Sequence, residues 1–305
     1  MKKRRLELFT CFVASVLLAA SESTSSAQGQ PAPDHPAVTV HGQTYTPRSI
    51  LARNMGSAED QTAQFTPHKI IGNVYYVGTK TLSSFLVVTP QGNILIDSTY
   101  ERNVAPILKS VEQLGFKFSD IKILLGNHAH GDHQEGDALV KQLSGAQVMV
   151  MAEDVPALRA ITPGGKEHPI DRILHDKDEV TLGGTTLVAH LTPGHTRGCT
   201  TWTMKAREGR RDYDVMFGCS LRPPGVLTPD IIREFTRSFA LVRSLPCDVQ
   251  LGDHGAQYNM QEKFAKVQKR GQNPFIDPGS CRNEADIEEA MFHAILDEQQ
   301  KAAPR

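Results

Sequence analysis

A chain of 305 residues, 39% hydrophobic and 22% charged, carries enough apolar material for one large or two small cores, which excludes a disordered or fibrous protein. The formal net charge is −1 and no basic run occurs beyond the N-terminus, so nucleic acid is not an expected partner.

The chain begins with a basic segment, Met1-Lys2-Lys3-Arg4-Arg5, followed by a mostly apolar run over residues 6–20 that only Glu7 interrupts. Ser25-Ser26-Ala27 then supplies small residues at a cleavage position. Residues 1–27 therefore read as a secretory signal peptide, and the mature protein is expected in the periplasm, free of the membrane. An uncleaved anchor is the competing reading, although the apolar run is short for a bilayer span. Cleavage removes four basic and two acidic residues and takes the formal charge to −3. It also removes Cys11, leaving Cys199, Cys219, Cys247 and Cys281 in an oxidising compartment with three possible pairings.

Residues 28–66 are polar and rich in Pro, Gln, Ser and Thr, and are expected to form an arm on the surface of a domain spanning 67–305. Residues 69–77 are β-branched and aromatic and predict a strand, 84–88 a second, and 94–96 a third after the turn at 89–93. Val104, Ile107, Leu108, Val111 and Leu114 recur at helical spacing over 102–114, with Gly115 as the stop. Residues 121–125 form a short apolar strand, 136–143 a helix stopped by Gly145, and 147–151 another strand. The turn-rich loop 161–169 is either a flap over a site or an inert connection. Strands follow at 179–182, 185–191, 200–204 and 214–217, and helices at 230–245, 257–271 and 283–301, the last with Asn283 as N-cap. A strand-and-helix pattern thus occurs twice, which two face-to-face sheets with helices outside would satisfy.

The chemistry concentrates in Gly126–Gly136, where His128, His130, Asp132 and His133 stand in the order H-x-H-x-D-H after a strand. Three imidazoles and a carboxylate suit zinc. Their spacing can aim His128 and His130 one way and Asp132 and His133 another, as two metals require. His195, in Thr192-Pro193-Gly194-His195-Thr196, and His254, in Gly252-Asp253-His254-Gly255, sit in glycine-containing turns after strands and are read as further ligands.

This succession of motifs resembles the metallo-β-lactamase superfamily over about residues 68–300. The resemblance implies an α/β fold, a four-layer αββα sandwich of two mixed sheets with helices outside. It also implies two zinc ions per chain, one on His128, His130 and His195, the other on Asp132, His133 and His254. Most other hydrolases of the superfamily carry a metal-bridging aspartate late in the chain, and residues 215–221 contain none. That absence, His133 after Asp132, the Ser220-Leu221 and Pro224-Gly225 register, and Cys247 with Cys281 placed like a family disulfide are most similar to subclass B3. Cys219 next to Gly218 also resembles a ligand cysteine of subclass B1. A hairpin between 200–204 and 214–217 would instead bring Cys199 and Cys219 together as a disulfide, and free thiols are the third reading.

The implied activity is β-lactam hydrolysis by a zinc-bound hydroxide oriented by Asp132, without an acyl-enzyme, in a monomer acting on a small molecule. Ser220 matches the family position that contacts the substrate carboxylate. Arg222 either pairs with that carboxylate or is a solvated surface residue. Asp97 either supports the zinc loop or caps a helix. Asn127 and Arg197 depart from the residues usual in the family. A lactone or thioester hydrolase of the glyoxalase II type is the alternative.

Overall fold

The structure, a computed structural model, describes residues 33–267 and 271–303. The signal peptide read at 1–27 lies outside them. Residues 33–66 hold more regular structure than the expected arm. Strands β1 (Val38–Val40) and β2 (Gln43–Tyr45) form a hairpin, and helix α1 (Pro47–Met55) follows. Thr46 caps that helix: the Ser49 amide donates to Thr46 Oγ1 at 3.1 Å, and the Thr46 amide donates to Ser49 Oγ at 2.8 Å. The polar composition that suggested an arm is a cap and a solvated face, while Ile50 is fully buried.

The first sheet begins as the predicted meander, with one correction. Residues 69–77 form two strands, β3 (His68–Ile71) and β4 (Val74–Tyr76), because Gly72 turns the chain at φ +53°. A Cβ there would lie 2.8 Å from the Arg207 carbonyl oxygen, so the turn requires glycine. Strands β5 (Phe85–Thr89) and β6 (Gly92–Ile96) complete the antiparallel half. Helix α2 (Val104–Gln113) crosses to β7 (Ile121–Leu125), which pairs parallel with β6. Helices α3 (Gly131–Gln134) and α4 (Asp137–Ser144) lead to β8 (Gln147–Met151), and α5 (Val155–Leu158) precedes the edge strand β9 (Arg172–Leu174). Both last strands are parallel additions. Strand β9 is too short to have stood out in the sequence.

The second sheet has the order β10 (Glu179–Leu182), β11 (Thr185–Leu191), β12 (Thr200–Glu208), β13 (Arg211–Gly218), β14 (Val249–Gly252). It is antiparallel except for the parallel β13–β14 pair. The β12–β13 hairpin runs past the predicted strand ends, where Lys205–Asp214 and Arg207–Asp212 ion pairs face each other. Charge concealed strand residues whose backbone is fully paired.

Alternation sorts the side chains into layers. Phe85, Val87, Ile94, Ile96, Ile123 and Leu125 of the first sheet meet Leu187, Ala189, Trp202, Met204, Phe217 and Leu251 of the second. The opposite face of the first sheet, with Leu86, Leu95 and Leu124, packs against Val104, Ile107 and Val111 of α2 and Val140 of α4. Outside the second sheet, Met216 lies under Phe235 and Phe239 of α6 (Pro229–Ser244) and Met291 and Phe292 of α8 (Asn283–Ala302). This is the expected αββα sandwich. Helix α7 (Met260–Val267) follows a 3-10 turn, with Asn259 in the left-handed region breaking the predicted 257–271 helix; residues 268–270 lie outside the described set. Asn283 is the first residue of α8 and not its N-cap. No helix among the described residues is long and apolar enough to cross a membrane. Both remaining cysteine pairs are disulfides, Cys199–Cys219 and Cys247–Cys281.

One buried group is left uncompensated. Arg53 of α1 donates to Glu284 of α8 at 2.5 Å, while Glu288, one turn further on, is fully buried with no partner but the Glu284 carboxyl, which it can bond only by keeping a proton. Burial and the adjacent Glu284 push the Glu288 pKa well above its ordinary value of 4.5, against the pull of Arg53 and Arg222. A carboxyl that holds its proton more tightly when folded contributes stability that is complete below the unfolded pKa and is lost as pH rises through the folded one. Glu288→Gln is therefore expected to raise the melting temperature at pH 8 by about 2–4 °C, with a smaller gain at pH 5. Thermal unfolding of both proteins at both pH values checks this.

Candidate metal centre

The Gly126–Gly136 loop leaves β7 where the two sheets meet, and its course is fixed by backbone contacts. The Trp202 indole donates to the Gly126 carbonyl at 3.2 Å. A Cβ at Gly126 would lie 2.2 Å from the Gln134 side-chain amide, so a larger residue would displace that buried glutamine. The Asn127 amide donates to Asp97 Oδ1 at 2.8 Å, and the Asn127 side chain reaches the Gly218 carbonyl of the second sheet at 3.2 Å. Asp97 and Thr99 take positive φ values, +61° and +59°, without being glycine. Such strain persists only where surrounding structure imposes it.

Along this loop the side chains divide as the sequence spacing suggested. The donor atoms of His128, His130 and His195 lie within 4.8 Å of one another, and those of Asp132, His133 and His254 form a second such group. His195 comes from the β11–β12 connection and His254 from the end of β14, so three strand ends converge. The groups adjoin, with the His128 and His133 ring centroids 4.2 Å apart. His130 is exposed and His195 half-buried, which opens the first group to solvent. Beside it a cleft of about 590 Å³ is lined by His195, Thr196, Arg197, Ile231 and Glu234.

Each inward ring is held from behind. His128 Nδ1 lies 3.3 Å from Asp253, His133 Nδ1 lies 3.3 Å from Asp97, and His195 Nδ1 donates to the Arg222 carbonyl at 3.0 Å. The contacts of His128 and His195 turn Nε2 inward, and His128 Nε2 is buried with no hydrogen-bond partner; His133 Nε2 faces Asp132 at 3.3 Å. An orphaned imidazole nitrogen among imidazoles converging with a carboxylate is part of a donor set that fits a divalent metal. Asp97 is thus a support of the loop and not a helix cap. Asp253 was missed as a support in the sequence reading; its position directly before a ligand-type histidine was the available signal. Asp154, also missed, sits behind the loop at the end of β8, where Ala129 N donates to it at 2.8 Å.

Electrostatics follow from burial. Burial and neighbouring His133 hold His128 down at about 3, while His195 lies well below its ordinary value and His130 and His254 below it. The Arg222 guanidinium adds to the lowering of all three of the latter. Neutral imidazoles are the ligating form; His133 differs, because Asp132 and Asp97 outweigh burial and hold its pKa well above the ordinary value, so it must give up a proton to ligate. Burial opposes ionisation of Asp132, yet the charge and hydrogen bond of His133 hold its carboxyl well below the usual range. Burial lifts Asp97 to about 6 despite its contact with His133.

Ser220 is buried, and its amide donates to Asp253 at 2.8 Å. Arg222 is half-buried beside the histidines and is not a solvated surface arginine. The Cys199–Cys219 disulfide lies directly beneath the first group, with Cys219 Sγ 3.6 Å from His128 Nδ1. Both sulfurs are committed to that bond, which removes ligation and free thiols as readings.

The 161–169 loop is pinned at one end. His168 Nε2 lies 3.2 Å from the Gln134 carbonyl and 3.3 Å from Asp137, and Nδ1 lies 3.1 Å from the Pro169 carbonyl. Both ring nitrogens face acceptors, so only the imidazolium satisfies them all.

Residues 78–208 match the family described as the metallo-beta-lactamase superfamily. Among solved structures, the metallo-beta-lactamase FEZ-1 from Legionella gormanii is 42% identical, with 79% of this chain and 99% of that one covered at a TM-score of 0.76. BJP-1, a subclass B3 metallo-beta-lactamase of Bradyrhizobium japonicum, is 36% identical over 80% and 98%, at 0.74. Hydroxyacylglutathione hydrolases are also similar. That of Fuscovulum blasticum is 31% identical over 31% of this chain and 32% of its own length; that of Methylococcus capsulatus is 28% identical over 48% and 51%. The chain thus spans a third to a half of these curated relatives.

Burial alone would lower the His168 pKa, but the Asp137 carboxylate and the two carbonyls raise it. The stabilisation of the loop is therefore present at low pH and lost as pH rises through that raised value. Amide hydrogen exchange across 161–169, corrected for intrinsic rates, is expected to speed up on going from pH 6 to pH 9, and His168→Gln to abolish that change.

Proposed function

As the chain belongs to the metallo-β-lactamase superfamily, we propose that it hydrolyses the amide bond of β-lactams with two zinc ions per chain. The observation that carries this reading is the convergence of six donors in two groups beside a strand end that offers no further carboxylate. Residues 215–221 end in the Cys199–Cys219 disulfide, where a metal-bridging aspartate would be required for the commoner hydrolases of the superfamily. Similarity to metallo-β-lactamases over essentially their whole length supports the same choice, and extends it to subclass B3.

His128, His130 and His195 would hold one zinc, and Asp132, His133 and His254 the other. Bound zinc supplies a Lewis acid for the carbonyl oxygen and the departing nitrogen, and lowers the pKa of water towards neutral. The protein's own part is preorganisation. Asp97 and Asp253 keep the rings of His133 and His128 fixed before substrate arrives, so little reorganisation accompanies the reaction. Asp132, ionised at neutral pH, accepts a hydrogen bond from the attacking water and orients it. Ser220 and Arg222 receive the substrate carboxylate, the guanidinium in a bidentate manner. The cleft beside His195 is of a size for the side chain of a small-molecule substrate. No serine or thiol nucleophile is needed, and both nearby sulfurs are oxidised. A periplasmic, monomeric enzyme exported by residues 1–27 is consistent with the two disulfides.

A thioester hydrolase is the second reading, favoured by similarity to hydroxyacylglutathione hydrolases over part of their length. The mature protein is expected to hydrolyse a chromogenic cephalosporin, to lose that activity to a chelator and to regain it with zinc. Turnover of a thioester or lactone panel without cephalosporin hydrolysis transfers the assignment to the second reading. His133→Ala is expected to lower bound zinc from about two per chain towards one, as read by elemental analysis after gel filtration. Two tightly held zincs in that variant would overturn the second ligand set.

A further inference from the structure

The donors of the first group come from different sheets, His128 and His130 from the loop after β7 and His195 from the loop between β11 and β12. The Thr200 amide joins these loops at their base by donating to the Asn127 carbonyl at 2.8 Å, and a second link is needed nearer the histidines. Asp154 supplies it. It stands in the 3-10 turn after β8, is 2% exposed, and bonds to both loops at once. Its Oδ2 accepts from the Ala129 amide, between His128 and His130, at 2.8 Å, and from Thr196 Oγ1, next to His195, at 2.8 Å. Its Oδ1 accepts from the Gly198 amide at 2.7 Å.

Residue 198 carries an independent trace of this contact. A Cβ on Gly198 would lie 2.6 Å from Cβ and from Cγ of Asp154, so the carboxylate reaches the second loop only because that position is glycine. The three donors are neutral, and among the described residues no lysine or arginine pairs with Asp154. A buried, hydrogen-bonded and uncompensated negative charge therefore lies behind a donor set of three neutral imidazoles, while the second set contains its own carboxylate, Asp132. Burial raises the Asp154 pKa and its three hydrogen bonds oppose that rise.

We infer that Asp154 is the positioning residue of the first metal site: it clamps the His128/His130 loop to the His195 loop and adds a second carboxylate behind that site, beside Asp253 at His128. The inference rests on the zinc reading above, and extends it to a residue that touches neither metal nor substrate. An asparagine has the same shape but can accept on one side only, so it loses either the Gly198 bond or the Ala129 bond, and it loses the charge.

The test uses Asp154→Asn and Thr196→Val in the full mature chain. In the metal-free proteins, amide exchange read by NMR should show loss of protection at Ala129 or Gly198 in Asp154→Asn. Zinc titration against a chromophoric chelator should show one site weakened about 10- to 100-fold and the other unchanged. Cobalt substitution should show an altered absorption spectrum for that site alone. Thr196→Val, which removes one bond and keeps the charge, should weaken the same site by less, and it decides the matter if Asp154→Asn does not fold. Unchanged affinity at both sites, or equal loss at both, overturns the clamp. If the parent protein binds no zinc, the functional reading fails on its own, and retained amide protection in Asp154→Asn is then the result that overturns the clamp.

Discussion

A carboxylate buried where two sheets meet must be answered by hydrogen-bond donors, and here the donors are the segments that carry the histidines. Asp97 takes the Asn127 amide and faces His133. Asp253 takes the Ser220 amide and faces His128. Asp154 takes amides from two loops. Each carboxylate thus offsets part of its own desolvation by fixing a piece of the site, although Asp97 Oδ2 and Asp253 Oδ1 keep no hydrogen-bond partner. Removing any one would leave orphaned backbone donors in the interior as well as a loose ring, so fold stability and site geometry share the same bonds.

The sandwich supplies the strand ends on which this depends. Both sheets pack through alternating apolar residues, and their parallel pairs, β6 to β9 and β13 with β14, deliver loops to the same edge. Helix α8 closes the outer face of the second sheet through Met291 and Phe292, and binds α1 through Glu284 and Arg53. The N-terminal hairpin and helix are therefore part of the sandwich's outer layer.

Much of this was legible in the sequence because the strongest signals are local. The H-x-H-x-D-H spacing, the glycines around His195 and His254, and the apolar run 121–125 each need only a few neighbours to be interpreted, and all six donors converge. The two sheets and their outer helices followed from periodicity. What escaped depends on distant partners. Asp154 and Asp253 are ordinary aspartates until the fold brings amides to them. The turn at Gly72 is hidden because the strand pattern continues across it, and β9 because a three-residue edge strand carries almost no pattern. Charged residues at 205–214 concealed how far the expected hairpin extends, because their ion pairs form only across strands. The Cys199–Cys219 pairing was one of several open possibilities until β12 and β13 were seen side by side.

The positions of the six donors along the chain have a consequence for assembly. Four lie between residues 128 and 133, but His195 comes late and His254 later still, on a strand that pairs with β13 only after α6 has been laid across the sheet. Neither three-donor group can close until most of the polypeptide has been synthesised and its longest-range contacts have formed. A metal held by either group, as proposed above, would therefore be captured late in folding, and a chain exported unfolded would draw it from the compartment in which it folds.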